Sequence, residues 1–235
     1  LYFAGGEPLL IPEHYKILEF MVDEGYAKDC NLRYNSNGLE LPDKLFKLWQ
    51  HFKEVRFNFS IDAYGERNDY IRYPSKWSDV ETNLRRLDEN TKDNTVINIA
   101  CAVQLLNVGY IDELAEWKMD QGFSKINPSM FGGGIIGTHL VYLPSYLNVQ
   151  VLPQEAKLWI KGKVENFIDR QKFNLEFNQH PYGAQRWRGL IKYMMQDDWS
   201  NKLPALREYL AVTDKTRGTD YSKTFKELGE YINGH

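Results

Sequence analysis

The chain opens Leu1-Tyr2-Phe3-Ala4-Gly5-Gly6-Glu7-Pro8-Leu9-Leu10, and the reading of the fold turns on where this stretch breaks. Four apolar residues run into two glycines, an acid and a proline. An apolar run of that length bounded by Gly and Pro suits a parallel strand covered on both faces better than a surface helix. The expectation is a buried strand over Leu1 to Ala4, followed by a turn. Gly5 and Gly6 tolerate positive φ and let a ligand touch the main chain, while Pro8 restricts the backbone of Glu7. By themselves the letters Gly5-Gly6-Glu7-Pro8 favour a plain strand-to-helix turn carrying a solvated acid, and it is the rest of the chain that points to a ligand.

The same alternation continues downstream. Glu13 to Gly25 places Ile17, Leu18, Met21 and Val22 on one helical face, with Pro12 at the start and Gly25 at the C′ position. Cys30 to Asn35 reads as a strand entering the turn Asn35-Ser36-Asn37-Gly38, and Leu45, Leu48, Trp49 and Phe52 mark the next helix. Val55 to Ile61 alternates as a strand, an acid-rich loop through Glu66, Asp69 and Arg72 follows, and Trp77, Val80, Leu84 and Leu87 stripe a third helix. Thr95 to Val103 and Phe123 to Phe131 complete five strands, separated by a helix carrying Ile111, Leu114 and Ala115. Strands alternating with helices predict βαβ crossovers and a parallel sheet.

Gly132-Gly133-Gly134-Ile135-Ile136-Gly137 is expected to be a mobile loop, and it lacks the Lys-Ser/Thr of a phosphate-binding P-loop. Beyond Leu152-Pro153 the pattern is helical, over Ala156 to Ile168, Ala184 to Met195, Leu203 to Val212 and Tyr221 to Ile232. The domain reading is a parallel α/β region over residues 1–152 and a helical region over 153–235 packed on it.

With 235 residues, 43% of them hydrophobic, the chain is long enough for one large core. A formal charge of -3 gives no overall basic field for nucleic acid. No apolar run approaches the roughly 20 residues of a spanning helix, and no basic n-region of a signal peptide precedes the first strand. Cys30 and Cys101 are the only cysteines, which makes neither a disulfide framework nor a CxxC metal site. A reducing cytoplasm is the expected compartment. A chain beginning at an apolar strand without methionine reads as a piece whose upstream part is missing.

Ligands of parallel α/β folds collect at the carboxyl ends of the strands. Gly5-Gly6-Glu7-Pro8, Ser36-Asn37-Gly38, Ser60-Ile61-Asp62 and Arg72 all fall there. In that serial order, with Phe57-x-Phe59 before Ser60 and Asn68-Asp69-x-Ile71-Arg72 and Trp77 behind, the chain resembles the core of the radical SAM (S-adenosylmethionine) enzymes. The likeness is to their peptide-modifying SPASM/twitch-type branch and covers about the first 150 residues.

The resemblance implies an incomplete TIM-type (β/α) barrel, strands two to six of the family core, closed by C-terminal helices. Gly5, Gly6 and Glu7 would bind the methionine amino group of SAM. Ser60 and Asp62 would face the ribose, Arg72 would pair with the SAM carboxylate, and Asn37 would lie nearby. Val103 and Leu143-Pro144 would flank the adenine. An arginine fork suits a carboxylate, and an ammonium needs oxygen acceptors.

The implied chemistry is reductive cleavage of SAM by a [4Fe-4S] cluster, giving a 5′-deoxyadenosyl radical that abstracts hydrogen from a substrate, a peptide among the candidates. The implied partners are that substrate and an electron donor such as flavodoxin or ferredoxin, with no membrane or nucleic acid. The CxxxCxxC that holds the cluster is absent from this chain and is expected just upstream of Leu1, since clusters require thiolates. The cysteine-rich auxiliary-cluster region of the branch is also missing. The competing class is a non-catalytic binding or scaffold protein that kept the barrel and lost the cluster.

Other constellations are less specific. Glu7, Asp62 and Glu66 would serve as a glycosidase-like acid pair. Arg186-Trp187-Arg188 with Lys192 and Tyr193 reads as an RNA- or peptide-binding cluster, or as a helix face with one buried tryptophan. The five histidines fit no metal-ligand spacing.

Overall fold

The computed structural model describes residues 1–126, 135–174, 177 and 183–234. Its five strands are β1 (Tyr2–Phe3), β2 (Asn31–Ser36), β3 (Glu54–Ser60), β4 (Thr95–Val103) and β5 (Gly137–Leu140). All neighbours are parallel and the spatial order is β1-β2-β3-β4-β5. Each crossover between the first four strands carries helix: α1 (Pro12–Asp23), α2 (Asp43–Trp49), α3 (Glu66–Ile71) with α4 (Trp77–Asn90), and, after β4, α5 (Ile111–Asp120). The C-terminal region is helical, with α6 (Gln154–Arg170), α7 (Gly183–Gln196), α8 (Leu203–Arg217), α9 (Tyr221–Thr224) and α10 (Lys226–Asn233). The protein is therefore a mixed α/β fold with a parallel sheet flanked by helices.

The sheet is two-faced. Leu32 and Tyr34 of β2, Val55, Phe57 and Phe59 of β3, and Ile97, Ile99 and Cys101 of β4 are fully buried under the helices. Between them Arg33, Asn35, Arg56, Asn58 and Ser60 alternate onto the opposite, more open face. A single hydrophobic cluster runs from Leu9 through the sheet to Ile232, so the C-terminal helices share their core with the strands. Phe167, Phe177 and Trp187 join it, Phe167 and Trp187 stacked with ring centroids 4.9 Å apart.

Several expectations change in detail. Leu1 to Ala4 is not a strand covered on both faces: β1 pairs only with β2, and Leu1 and Tyr2 are 50% and 62% exposed. The loop read through Glu66 to Arg72 contains α3, because Gly65 turns the chain at a φ of 63° and the Asn68 side chain accepts from the Asp62 N–H. The fifth strand of the sheet is Gly137–Leu140. Of the strand expected over Phe123 to Phe131, residues 127–131 lie outside the described residues; Ser124, Lys125 and Ile126 give their amides to the Asp88 carboxylate of α4, and Ile126 bridges to Ile97 of β4.

Residues 127–134, including the first three glycines of the expected loop, lie outside the described residues. Ile135 and Ile136 are buried and Gly137 opens β5, so the second half of that stretch is core and strand. The helix read over Tyr221 to Ile232 breaks at Phe225, whose φ of -120° and ψ of 60° seat a fully buried ring against Tyr70 and Tyr110.

Candidate functional site

The carboxyl ends of β1, β2 and β3 are tied together by two carboxylates. Gly5 and Gly6 follow β1 at φ of 87° and 59°, a conformation that favours glycine at both positions. This reverses the chain and brings Glu7 back over the end of β2. The Glu7 carboxylate accepts from Ser36 Oγ at 2.6 Å, from the Asn37 N–H at 2.8 Å and from the Leu9 N–H at 3.2 Å. Ser36 Oγ in turn accepts from the Gly38 N–H at 2.9 Å, and Asn37 Oδ1 accepts from the Leu39 N–H. Gly38 sits at a φ of 63° against the ring of Phe59, where a Cβ would come within 2.5 Å. The Ser-Asn-Gly loop is thus held from three sides, by Glu7, by Phe59 and by Asn83 of α4, which donates to the Gly38 and Leu39 carbonyls.

The second carboxylate is Asp62, two residues past β3 and 5% exposed. Its Oδ1 accepts from the Ala102 N–H of β4 at 2.7 Å, and its Oδ2 lies 2.9 Å from Nε of Arg72. The Arg72 N–H is not aligned on that oxygen, so the contact is an ion pair rather than a directed hydrogen bond. Burial raises the Asp62 carboxyl above its ordinary range, against the opposing pull of Arg72 and the Ala102 N–H. Arg72 is positioned as the C-cap of α3 and remains a quarter exposed. Ser60, the last residue of β3, is partly open on the same polar face as Asn58.

The structure therefore brings Gly5, Gly6, Glu7, Ser36 and Asn37 into one bonded unit and Asp62 and Arg72 into another, across adjacent strand ends. Two residues to which sequence reasoning gave no role hold the second unit in place. Asn107, fully buried, donates to the carbonyls of Asp62 and Ala102 while its Oδ1 accepts from the Gln104 N–H. Asn68, also fully buried, receives the Asp62 N–H at 3.1 Å. The only available signal was polar residues inside otherwise apolar surroundings, and the Asn107-Val108-Gly109 stretch reads first as a turn.

At the far edge of the sheet Val103, Thr138, His139, Leu140, Tyr142 and Arg186 line a cavity of about 480 Å³. Burial, and then the nearby Arg186, lower the His139 pKa. Arg186 donates to the Thr138 carbonyl. Val103 lies in this cavity, whereas Leu143 is 82% exposed.

The remaining constellations separate. Glu7 and Asp62 have different partners, and Glu66 is exposed at the start of α3. Trp187 enters the core, Arg186 turns to the β5 edge, and Arg188 and Lys192 line a different groove against α6. Tyr193 accepts from the Asn148 side chain. His14 is a core residue on Tyr34 Oη at 2.9 Å.

Among the described residues no group of three or more His, Cys, Asp or Glu side chains is placed to hold a metal. Cys101 is fully buried in β4, where burial raises its thiol well above the ordinary range, and Cys30 precedes β2 at the opposite end of the sheet. No helix among the described residues is long and apolar enough to cross a membrane.

These features define a parallel α/β protein with a polar strand-end site built around two carboxylates. No protein-family profile matches the chain, and no curated protein or solved structure matches it.

Proposed function

We propose that this chain is part of a radical SAM enzyme and supplies the region of a (β/α) barrel that holds S-adenosylmethionine. The observation that carries the reading is the convergence of Gly5-Gly6-Glu7, Asn37, Ser60, Asp62 and Arg72 on consecutive carboxyl ends of parallel strands. Their chemistry suits the methionine end of SAM. The Gly5 and Gly6 backbone is exposed and free of side chains, so its carbonyls are open to an ammonium. Arg72 leaves part of its fork to solvent, where a ligand carboxylate would accept from it. Glu7 acts by fixing the Ser36-Asn37 loop, and Asp62 by orienting Arg72.

An iron–sulfur cluster does not fit the residues present. The two thiols stand at opposite ends or in the core of the sheet, and cluster ligation needs thiolates grouped around one site. SAM held here would supply a 5′-deoxyadenosyl group, whose release needs one electron from a donor that this chain's residues do not hold. This chain's own share is binding, orientation and exclusion of water.

Two measurements test the proposal. Anaerobic reconstitution of the 235-residue chain, with iron and sulfide counted, is expected to leave no stoichiometric cluster. A stable four-iron cluster on the monomer would refute the assignment of Cys30 and Cys101. Calorimetric titration of SAM into the reconstituted natural polypeptide that contains this chain is expected to show binding. Glu7→Ala and Arg72→Ala should each weaken it by about 1.5–3 kcal/mol, and Arg188→Ala should leave it unchanged. Equal affinity in all four proteins would overturn the reading.

A further inference from the structure

Tyr2, Arg33, Arg56 and Asn58 line a cleft of about 300 Å³ on the polar face of the sheet, toward the start of β2 and β3. Arg33 and Arg56 are directly paired in the β2–β3 ladder. Partners in a parallel ladder project from the same face about 4.8 Å apart, and like charges so placed repel. Glu54 engages Arg56 through both carboxylate oxygens. No carboxylate among the described residues pairs with Arg33, so Arg33 brings a positive charge to the cleft.

The other lining groups are donors as well. Asn35 Nδ2 donates to Tyr2 Oη at 2.7 Å, Asn58 Nδ2 donates to Asn35 Oδ1 at 2.8 Å, and Asn98 Nδ2 donates to Asn58 Oδ1 at 3.4 Å. This chain of bonds crosses β1 to β4 and fixes its members. It uses one lone pair of each of Tyr2 Oη and Asn58 Oδ1 and one Asn58 N–H, and leaves the Tyr2 hydroxyl hydrogen and the second Asn58 N–H to be given elsewhere. A cleft that joins these donors to two guanidinium groups matches a group that only accepts.

We propose that this cleft binds a carboxylate-bearing ligand, the carboxylate lying between Arg33 and Arg56 and accepting from Tyr2 and Asn58. With Glu54 already on Arg56, the guanidinium of Arg33 matches a monoanion rather than a phosphate dianion. The inference rests on the sheet face alone and not on the SAM reading, so either can fail without the other.

The test uses the 235-residue chain without SAM, titrated with N-acetylglycine, its neutral amide N-acetylglycinamide, and inorganic phosphate. Side-chain N–H resonances of Arg33, Arg56 and Asn58 report binding. N-acetylglycine should bind with a millimolar Kd, and the amide about tenfold or more weakly. Arg33 is exposed, so Arg33→Gln should keep the fold by thermal melt and weaken N-acetylglycine about tenfold. Glu54→Gln should tighten it by removing a negative charge from the cleft, an effect that a merely structural role for these residues would not produce. Equal binding of acid and amide, an unchanged Kd in Arg33→Gln, weaker binding in Glu54→Gln, or tighter binding of phosphate than of N-acetylglycine would each overturn the proposal.

Discussion

Replacing Glu7 by glutamine tests whether one carboxylate holds the first two strand ends together. The native side chain accepts from three donors, Ser36 Oγ, the Asn37 N–H and the Leu9 N–H, on its two oxygens. Glutamine keeps the shape but turns one oxygen into a donor. In one orientation its NH₂ faces the Asn37 N–H, and in the other it faces the Leu9 N–H. Either way one backbone donor loses its acceptor. A hydrogen bond to a charged acceptor contributes about 1.5–3 kcal/mol net, and Glu7 is half-buried, so the expected loss is about 1.5–2 kcal/mol.

For a chain of this size that corresponds to a fall in Tm of roughly 3–8 °C. The local signature is more specific. Amide hydrogen exchange should accelerate by about tenfold or more at Asn37 and Gly38, while Leu84 and Ile97 in the core keep their protection. Coupling between Glu7→Ala and Ser36→Ala in a double-mutant cycle should exceed about 0.5 kcal/mol. If the glutamine variant exchanges at Asn37 as the native protein does, or if the two alanine changes are additive, Glu7 does not organise the site.

Further outcomes follow from groups already described. His14 is 3% exposed, and burial lowers its pKa from 6.5 to about 4. The unfolded chain therefore takes up a proton that the folded chain resists, so stability is intact above pH 6.5 and declines as pH falls toward 4, by about 2–3 kcal/mol. Urea midpoints across this range should slope accordingly, with the His14 contribution lost in His14→Gln. An identical pH profile in that variant would contradict it. Arg72→Met leaves the Asp62 carboxylate buried without its cation, which should cost about 3 kcal/mol at pH 8. Because the Asp62 carboxyl is already raised by burial, that cost should shrink as pH falls and the acid takes a proton, and a pH-independent loss in chemical denaturation would refute the pairing. Gly38→Ala meets both a positive φ and the Phe59 ring, whereas Gly25→Ala meets only the positive φ. Thermal melts should show the first losing at least about 1 kcal/mol more than the second, and equal losses would mean the Phe59 contact is not tight.

Local rules carried much of this structure. The switch between two-residue and 3.6-residue periods located four of the five strands and the helices between them, because apolar side chains must meet one core from either geometry. Gly25 at the end of α1 and Pro12 at its start are read directly from their backbone constraints, and both stand as expected. The position of Glu7, Asn37, Ser60 and Asp62 at or just after strand ends was also legible, since a parallel sheet fixes which end of each strand shares a surface.

What each of those side chains touches was decided only in three dimensions. Asp62 meets Ala102, and Glu7 meets Ser36 and Asn37, through separations of 29 to 40 residues that no local pattern encodes. Asp88, from α4, likewise takes the amides of residues 124–126 across separations of 36 to 38 residues, and a strand of the sheet forms at Gly137–Leu140. The split at Phe225 was likewise set by the space between Tyr70 and Tyr110. Composition and spacing determine which segments bury an apolar face. Which distant polar groups then meet depends on packing, because a buried donor or acceptor must find a partner wherever the fold places one.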